Sequence, residues 1–292
     1  MSTRPVVVVG DVGLDVITRP QGPISWASDT PSAVTMTSGG AGGNSASWLA
    51  WASVPVTLLA RVGDDPAGHA ARVELESKKV RCAFNADPHL PTCVVVVLLD
   101  EHGERTMLAD RGANQAFGPE DVALSELDLG SDLTPHLHLS GYVLYDEGSR
   151  AGGLEALRQA RELGWSTSVD PQASALIHRE GADAFLGWVE GVDLLLPNAL
   201  EVAALGGIER ILGSTREVVA TFGSNGARWV GPDFDESAGA PMVEYVDSTG
   251  AGDAFNAGLL SVWLSGRNRI SALRAGIEAG STACSRVGAR PR

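Results

Sequence analysis

From about residue 137 onward the chain alternates short apolar runs with segments of helical periodicity, and that alternation restricts the fold more than any other feature. Residues 137–140, 166–170, 194–197, 218–222 and 227–230 read as strands, while 154–163 and 253–264 carry apolar residues at helical spacing. Strand, helix and strand in succession imply βαβ units, hence a mostly parallel sheet with helices on both faces. Upstream, 6–9, 12–17 and 56–60 read as strands and 44–52 as a helix, while 19–32, rich in Pro, Gly, Ser and Asp, reads as a loop. Residues 93–99 and 105–109 flank Asp100-Glu101-His102-Gly103 as the arms of a β-hairpin would. The expectation is one α/β core of 292 residues with a small antiparallel excursion built from early segments. Excursions of that kind commonly serve as lids over active sites.

Bulk properties exclude several classes. A net charge of −14 with no basic run weighs against nucleic acid, whose binding draws on clustered Lys and Arg. No apolar run approaches the roughly 18 residues of a transmembrane helix. The opening apolar run, Val6–Val9, is too short for a signal peptide and meets Gly10-Asp11 at once. Cys82, Cys93 and Cys284 are spaced neither as metal ligands nor as a disulfide framework, which points to a reducing cytoplasm. His136 and His138 would share one strand face, but no third ligand stands near them in sequence.

The segment richest in chemistry is Asp247-Ser248-Thr249-Gly250-Ala251-Gly252-Asp253-Ala254-Phe255, between a strand-like stretch at 243–246 and a helix. Glycines at a strand-to-helix turn let backbone N–H groups converge at the positive end of the helix dipole, forming an anion hole. Asp253, in the first helical turn, could accept a proton from an attacking hydroxyl while the anion hole holds a phosphoryl group. The P-loop pattern is absent, and neither Gly10-Asp11-Val12-Gly13 nor Gly40-Ala41-Gly42 completes the dinucleotide fingerprint, which disfavours a nicotinamide oxidoreductase.

Further glycine-rich and acidic segments accompany that turn: Gly10-Asp11-Val12-Gly13-Leu14-Asp15, Ser38-Gly39-Gly40-Ala41-Gly42-Gly43-Asn44 and Arg61-Val62-Gly63-Asp64-Asp65-Pro66-Ala67-Gly68. Downstream stand Arg111-Gly112-Ala113-Asn114, Asn198-Ala199-Leu200-Glu201 and Thr221-Phe222-Gly223-Ser224-Asn225-Gly226. In this order, and across nearly the whole chain, they resemble the signature regions of the ribokinase (PfkB) family of carbohydrate kinases. The resemblance implies a ribokinase-like three-layer αβα sandwich with a small β-sheet lid from about 11–37 and 92–112. It also implies ATP-dependent phosphorylation of a primary hydroxyl of a small sugar.

By the same resemblance Asp253 is the catalytic base, and Gly250, Ala251 and Gly252 supply the anion-hole amides. Asp15, Gly40, Asn44 and Asn114 bind the acceptor; Asn198, Thr221, Gly223 and Gly226 lie against ATP. Glu201 acts on Mg²⁺ through water, and Asp247 and Thr249 stand where many members bind a monovalent cation such as K⁺. Taken alone, Asn198 and Glu201 also read as a helix capping box. The family's lid strands often pair between subunits, which implies a homodimer. Three departures stand out: Ala199 replaces an acidic residue, Ser53 replaces a glycine, and the span from Glu201 to Thr221 is short. The same motifs serve nucleoside kinases and 2-keto-3-deoxy sugar acid kinases, the latter needing a cation such as Arg105 or Arg111 opposite the acid. A catalytically silent sugar- or nucleotide-binding regulator is the alternative from another class, and the intact Asp253 argues against it.

Overall fold

Four consecutive valines, Val6–Val9, form strand β1, and none has measurable exposure. Burying each such side chain is worth about 1.5–2 kcal/mol, and alternate residues of a strand bury on opposite faces. Val6 and Val8 pack into one apolar layer and Val7 and Val9 into another. The remaining order in the computed structural model, which describes residues 3–100 and 105–291, builds around that strand. It runs β2 (Gly13–Pro20), β3 (Ser32–Gly39), α1 (Ala41–Trp51), β4 (Val56–Gly63), α2 (Pro66–Ser77), β5 (Arg81–Asp87), β6 (Cys93–Leu99) and β7 (Arg105–Asp110). Then come β8 (His136–Ser140), α3 (Tyr142–Tyr145), α4 (Glu147–Glu162), β9 (Ser166–Asp170), α5 (Ser174–Glu180), α6 (Ala182–Trp188), β10 (Leu194–Leu195), α7 (Ala199–Ala204) and α8 (Ile208–Leu212). The chain closes with β11 (Glu217–Thr221), β12 (Ala227–Gly231), β13 (Phe234–Ala238), α9 (Ala251–Trp263) and α10 (Arg269–Cys284).

Nine strands form one sheet in the order β13-β12-β11-β10-β9-β8-β1-β4-β5. Every neighbouring pair from β11 to β5 is parallel, and β12 and β13 add an antiparallel edge. Helices α1, α2, α9 and α10 cover one face with Val6 and Val8; α3–α8 cover the other with Val7 and Val9. The result is the three-layer sandwich that the strand–helix alternation predicts.

The second sheet has the order β3-β2-β6-β7 and differs from the expected antiparallel excursion. Its outer pairs are antiparallel, but β2 and β6 run parallel. The chain between them passes through α1, β4, α2 and β5, and a crossover of that length permits parallel pairing where a hairpin does not. The predicted 93–99/105–109 hairpin forms, while residues 101–104 and the Arg105 side chain lie outside the described residues.

Other boundaries move for physical reasons. β3, β5 and β13 escape the sequence reading because their side chains are exposed or half-buried along nearly the whole strand, so no apolar period shows. The expected strand at 243–246 joins no ladder; only the Val246 and Asp247 amides bond, both to the Cys284 carbonyl. Helix α1 starts at Ala41 rather than residue 44, inside the glycine cluster, because the helix presses on the β1 terminus: a Cβ on Gly42 would stand 2.5 Å from the Gly10 carbonyl carbon. His136 and His138 do share a face, and their rings bond Ser166 and Ser168 of β9 at 2.8 Å. Burial pulls His138 down to about 4, so it is a neutral core residue at physiological pH. Among the described residues no helix is long and apolar enough to cross a membrane.

Candidate active site

Parallel α/β sheets present ligands at the carboxyl ends of their strands, because loops and helix N-termini gather there. Here that edge carries Asp11 after β1, Tyr142 after β8, Asp170 ending β9, Thr221 ending β11 and the N-terminus of α9. Gly250 caps α9 with φ 74°, a left-handed conformation that side chains disfavour, and an added Cβ would stand 2.3 Å from the Ala289 carbonyl oxygen. Glycine therefore turns the chain so that α9 begins directly at Ala251.

Asp253 occupies the first turn of α9 and is buried. Its Oδ1 accepts from Ser45 Oγ at 2.7 Å and its Oδ2 from Asn44 Nδ2 at 3.4 Å. Both donors lie in the first turns of α1, whose cap, Gly40 (φ 88°), has no room for a Cβ beside the Asp11 carbonyl. Burial pushes the Asp253 carboxyl up to about 6, against the opposing pull of Ser45, Asn44 and the Arg290 cation. Asp15, on β2, lies against Gly39, and burial raises its carboxyl while Arg290 lowers it.

Asp170 was not singled out from sequence, yet it joins the two halves of the site. It is buried, accepts from Asn256 Nδ2 at 2.7 Å and from the Gln172 amide at 2.9 Å, and is pushed well above the ordinary carboxylate range. Burial is the largest cause, followed by the negative charges of Glu201 and Asp253. The signal available in sequence was its position as the last residue of a predicted parallel strand. Tyr142 was missed too; burial and the charges of Asp11, Asp170 and Asp253 push its phenol up to about 12.

Asn198 and Glu201 realise the capping box: Asn198 Oδ1 accepts from the Leu200 and Glu201 amides, and Glu201 accepts from the Asn198 amide and side chain. Glu201 is buried with a raised pKa, and burial is the cause. The Asn198 side chain is thus committed within α7, while its backbone bridges to Thr221. Thr221, Gly223 and Gly226 line a cavity of about 490 Å³ together with Tyr245, Ala251 and Gly252. That volume suits a nucleotide-sized ligand and lies within the usual range for small-molecule pockets of roughly 300–1,000 Å³. Asp247 Oδ1 accepts from the Thr249 amide and hydroxyl at 2.8 and 2.6 Å, and Asp247 Oδ2 from the Gly288 amide at 3.2 Å. The pair therefore ties the anion-hole turn to the C-terminal segment.

Two of the side chains named from sequence are engaged within the chain. Asn114 is buried beside the site, but its amide donates to the Val12 carbonyl at 3.0 Å and accepts from the Val12 amide at 3.3 Å. It holds the β1–β2 turn in place. Arg111 is paired with Asp11 at 2.9 Å and Asp146 at 3.0 Å and donates to the Tyr142 carbonyl, so its charge is met within the chain.

This geometry is matched by likeness to known proteins. The profile of the pfkB family carbohydrate kinases matches residues 3–292. An ATP-dependent ribose-1-phosphate kinase of Halopiger xanaduensis is 33% identical over 265 residues, covering 86% of this chain and 82% of that protein. The adenosine kinase of Sinorhizobium meliloti superposes with a TM-score of 0.85 at 24% identity, covering 99% of this chain and 96% of that one. The fructokinase of Vibrio cholerae, solved with fructose, ADP and calcium ion bound, superposes with a TM-score of 0.82 at 26% identity, covering 99% and 95%. The two helical layers, the mostly parallel sheet and the separate small sheet are thus a ribokinase-like fold. ATP-dependent transfer to an alcohol group is the activity that goes with these relations, and the chain belongs to the pfkB family of carbohydrate kinases.

Proposed function

We propose that this kinase transfers the γ-phosphoryl group of ATP to a primary hydroxyl of a small sugar by direct in-line displacement, with Asp253 as the base. The observation that carries this reading is the placement of one buried carboxylate, titrating near 6, in the first turn of the helix whose opening residues line the nucleotide-sized cavity. Near neutral pH such a group is ionised yet basic enough to take a hydroxyl proton. In-line transfer asks little more than alignment and charge stabilisation, which the Gly250 and Gly252 N–H groups of the turn would supply, the Ala251 amide being bonded to the Ser248 carbonyl at 3.1 Å. Asp15, Gly40 and Asn44 would hold the acceptor's other hydroxyls, with Asn114 fixing the turn beside them.

Magnesium suits the far side of the site. Asp170 and Glu201 are buried carboxylates that repel one another, and a divalent cation held partly through water would relieve that repulsion and neutralise phosphate charge. A monovalent cation at Asp247 and Thr249 would stiffen the turn they tie to the C-terminal segment. The small sheet β3-β2-β6-β7 is read as the lid of a single kinase unit. Val34 and Met36 of β3 and Leu108 of β7 are exposed on one face of this sheet, and a second copy covering that face would make a homodimer.

The test is ADP release with MgATP across ribose, ribose 1-phosphate, fructose, keto-deoxy sugar acids and nucleosides, beside Asp253→Asn. Turnover of one sugar that collapses in the variant supports the reading. Turnover that survives the substitution removes Asp253 as the base.

A further inference from the structure

The C-terminal segment sends one guanidinium into the acceptor side of the site. Arg290 has only 6% of its side chain exposed and pairs with Glu74 of α2. Its Nε donates to Asn44 Oδ1 at 3.0 Å and its Nη2 to the Gly39 carbonyl at 2.7 Å. One planar group therefore joins α2, the end of β3 and the first turn of α1. Gly43 makes room for it, since a Cβ there would stand 2.2 Å from Nη2.

The contact with Asn44 has a directional consequence. A carboxamide has an accepting end and a donating end, and the hydrogen-bond network decides which points where. Arginine only donates and an ionised carboxylate only accepts. Placed between Arg290 and Asp253, Asn44 satisfies both partners in one orientation alone: Oδ1 on the guanidinium and Nδ2 on the carboxylate. Without the guanidinium only the long 3.4 Å bond to Asp253 selects that orientation, and the amide loses its anchor at Oδ1.

We propose that Arg290 is a positioning residue for phosphoryl transfer, holding Asn44 so that its amide hydrogens face Asp253 and the acceptor-binding end of α1 is set against the base. This rests on the reading of Asp253 as base. The segment has other anchors that suffice to pin it down: the Ala289 carbonyl accepts from Trp48 Nε1 at 2.9 Å and the Pro291 carbonyl from Lys78 Nζ at 2.8 Å. A buried cation with three separate partners is more than a tether requires. Its charge also bears on the acids around it, for it lowers both Asp253 and Asp15. The other groups facing Asp253 are neutral Ser45, Asn44 and Gln172, the carboxyl of Asp170 from β9 and the phenol of Tyr142 from α3. Arg290 is thus the cation that acts on Asp253 and Asp15, while Arg111 meets Asp11.

The experiment compares Arg290→Met and Arg290→Lys with the parent protein, each made with and without the further substitution Asp253→Asn. Within each pair, the pH dependence of the thermal-midpoint difference reports the folded-state titration of Asp253 without any substrate. In Arg290→Met that titration should move up by about one unit. Fructose or ribose turnover should show acceptor kcat/KM falling about tenfold with the KM for MgATP unchanged. Arg290→Lys, which keeps the charge and is the gentler change should the methionine variant fold poorly, should leave the titration near its parent value and still raise the acceptor KM. If the variants lower the thermal midpoint but leave the titration and the acceptor KM at parent values, Arg290 is only a clasp and the inference is overturned. If Asp253→Asn itself retains turnover, the base assignment is the part that fails, and the titration arm still reports on Arg290.

Discussion

Replacing Asp253 by asparagine should abolish transfer and at the same time stabilise the protein above pH 7. In the folded chain this carboxyl titrates near 6, against an ordinary value of 3.8, and burial is the largest cause. An acid with a raised folded-state pKa favours folding while protonated. Its contribution is therefore complete below pH 3.8 and is lost as pH rises through about 6. A difference of about two units corresponds to roughly 3 kcal/mol of strain carried by the ionised group at neutral pH. Asparagine mimics the neutral acid and removes that strain, but its amide meets the Asn44 amide where a carboxylate oxygen accepted, a loss of about 1 kcal/mol. The remainder, about 2 kcal/mol, amounts to a rise of roughly 3 °C in the midpoint of a chain this long. Calorimetry from about pH 3.5 to 8.5 on both proteins, paired with ADP-release assays, measures both effects. The expected record is a variant midpoint roughly 1–2 °C below the parent's at low pH that rises past it between about pH 4 and 6.5, with turnover lower by at least about a hundredfold. An Asp253→Asn protein less stable than its parent at pH 8 would show that the carboxylate is stabilised as an ion, and the electrostatic argument would be wrong.

Three other substitutions probe the remaining parts. Gly250→Ala places a methyl group 2.3 Å from the Ala289 carbonyl at a residue with φ 74°, so thermal stability should drop by at least about 1–3 kcal/mol and kcat with it. An alanine variant with parental kcat would show that the turn does not need glycine. Glu201→Gln keeps the capping bond to the Asn198 amide, gives up the one from Asn198 Nδ2 and removes a carboxylate, so the magnesium needed for half-maximal rate should rise about tenfold with unchanged circular dichroism. Val34→Lys with Met36→Lys on β3 should convert a dimer to a monomer in sedimentation velocity, and a parent protein that is already monomeric would remove the dimer proposal.

Local chemistry was readable along the chain wherever it repeated at short range. The Val6–Val9 run, the later strand–helix alternation and the turn from Asp247 to Asp253 each carry their meaning within a dozen residues, because backbone period and turn preference are properties of neighbours. The capping role of Asn198 and Glu201 was legible for the same reason. Strands β3, β5 and β13 were not, since side chains exposed or half-buried along nearly the whole strand lose the apolar pattern by which strands are recognised.

The site itself divides along the same line. Asp253, Asn44 and Gly250 stand in motifs, so the resemblance of those motifs to the family's signature regions was enough to single them out. Asp170, Tyr142 and Arg290 could not, because their meaning comes from partners far away in the chain: Arg290 meets Asn44 across 246 positions, and Asn256 meets Asp170 across 86. The commitment of Asn114 to Val12, and the parallel pairing of β2 with β6, were likewise decided only when distant segments packed. Sequence alone determined which groups were available to perform the chemistry and which local turns would present them. Tertiary structure decided which carboxylates are buried together, and it is burial and proximity that raise Asp253, Asp170 and Glu201 above the ordinary carboxylate range.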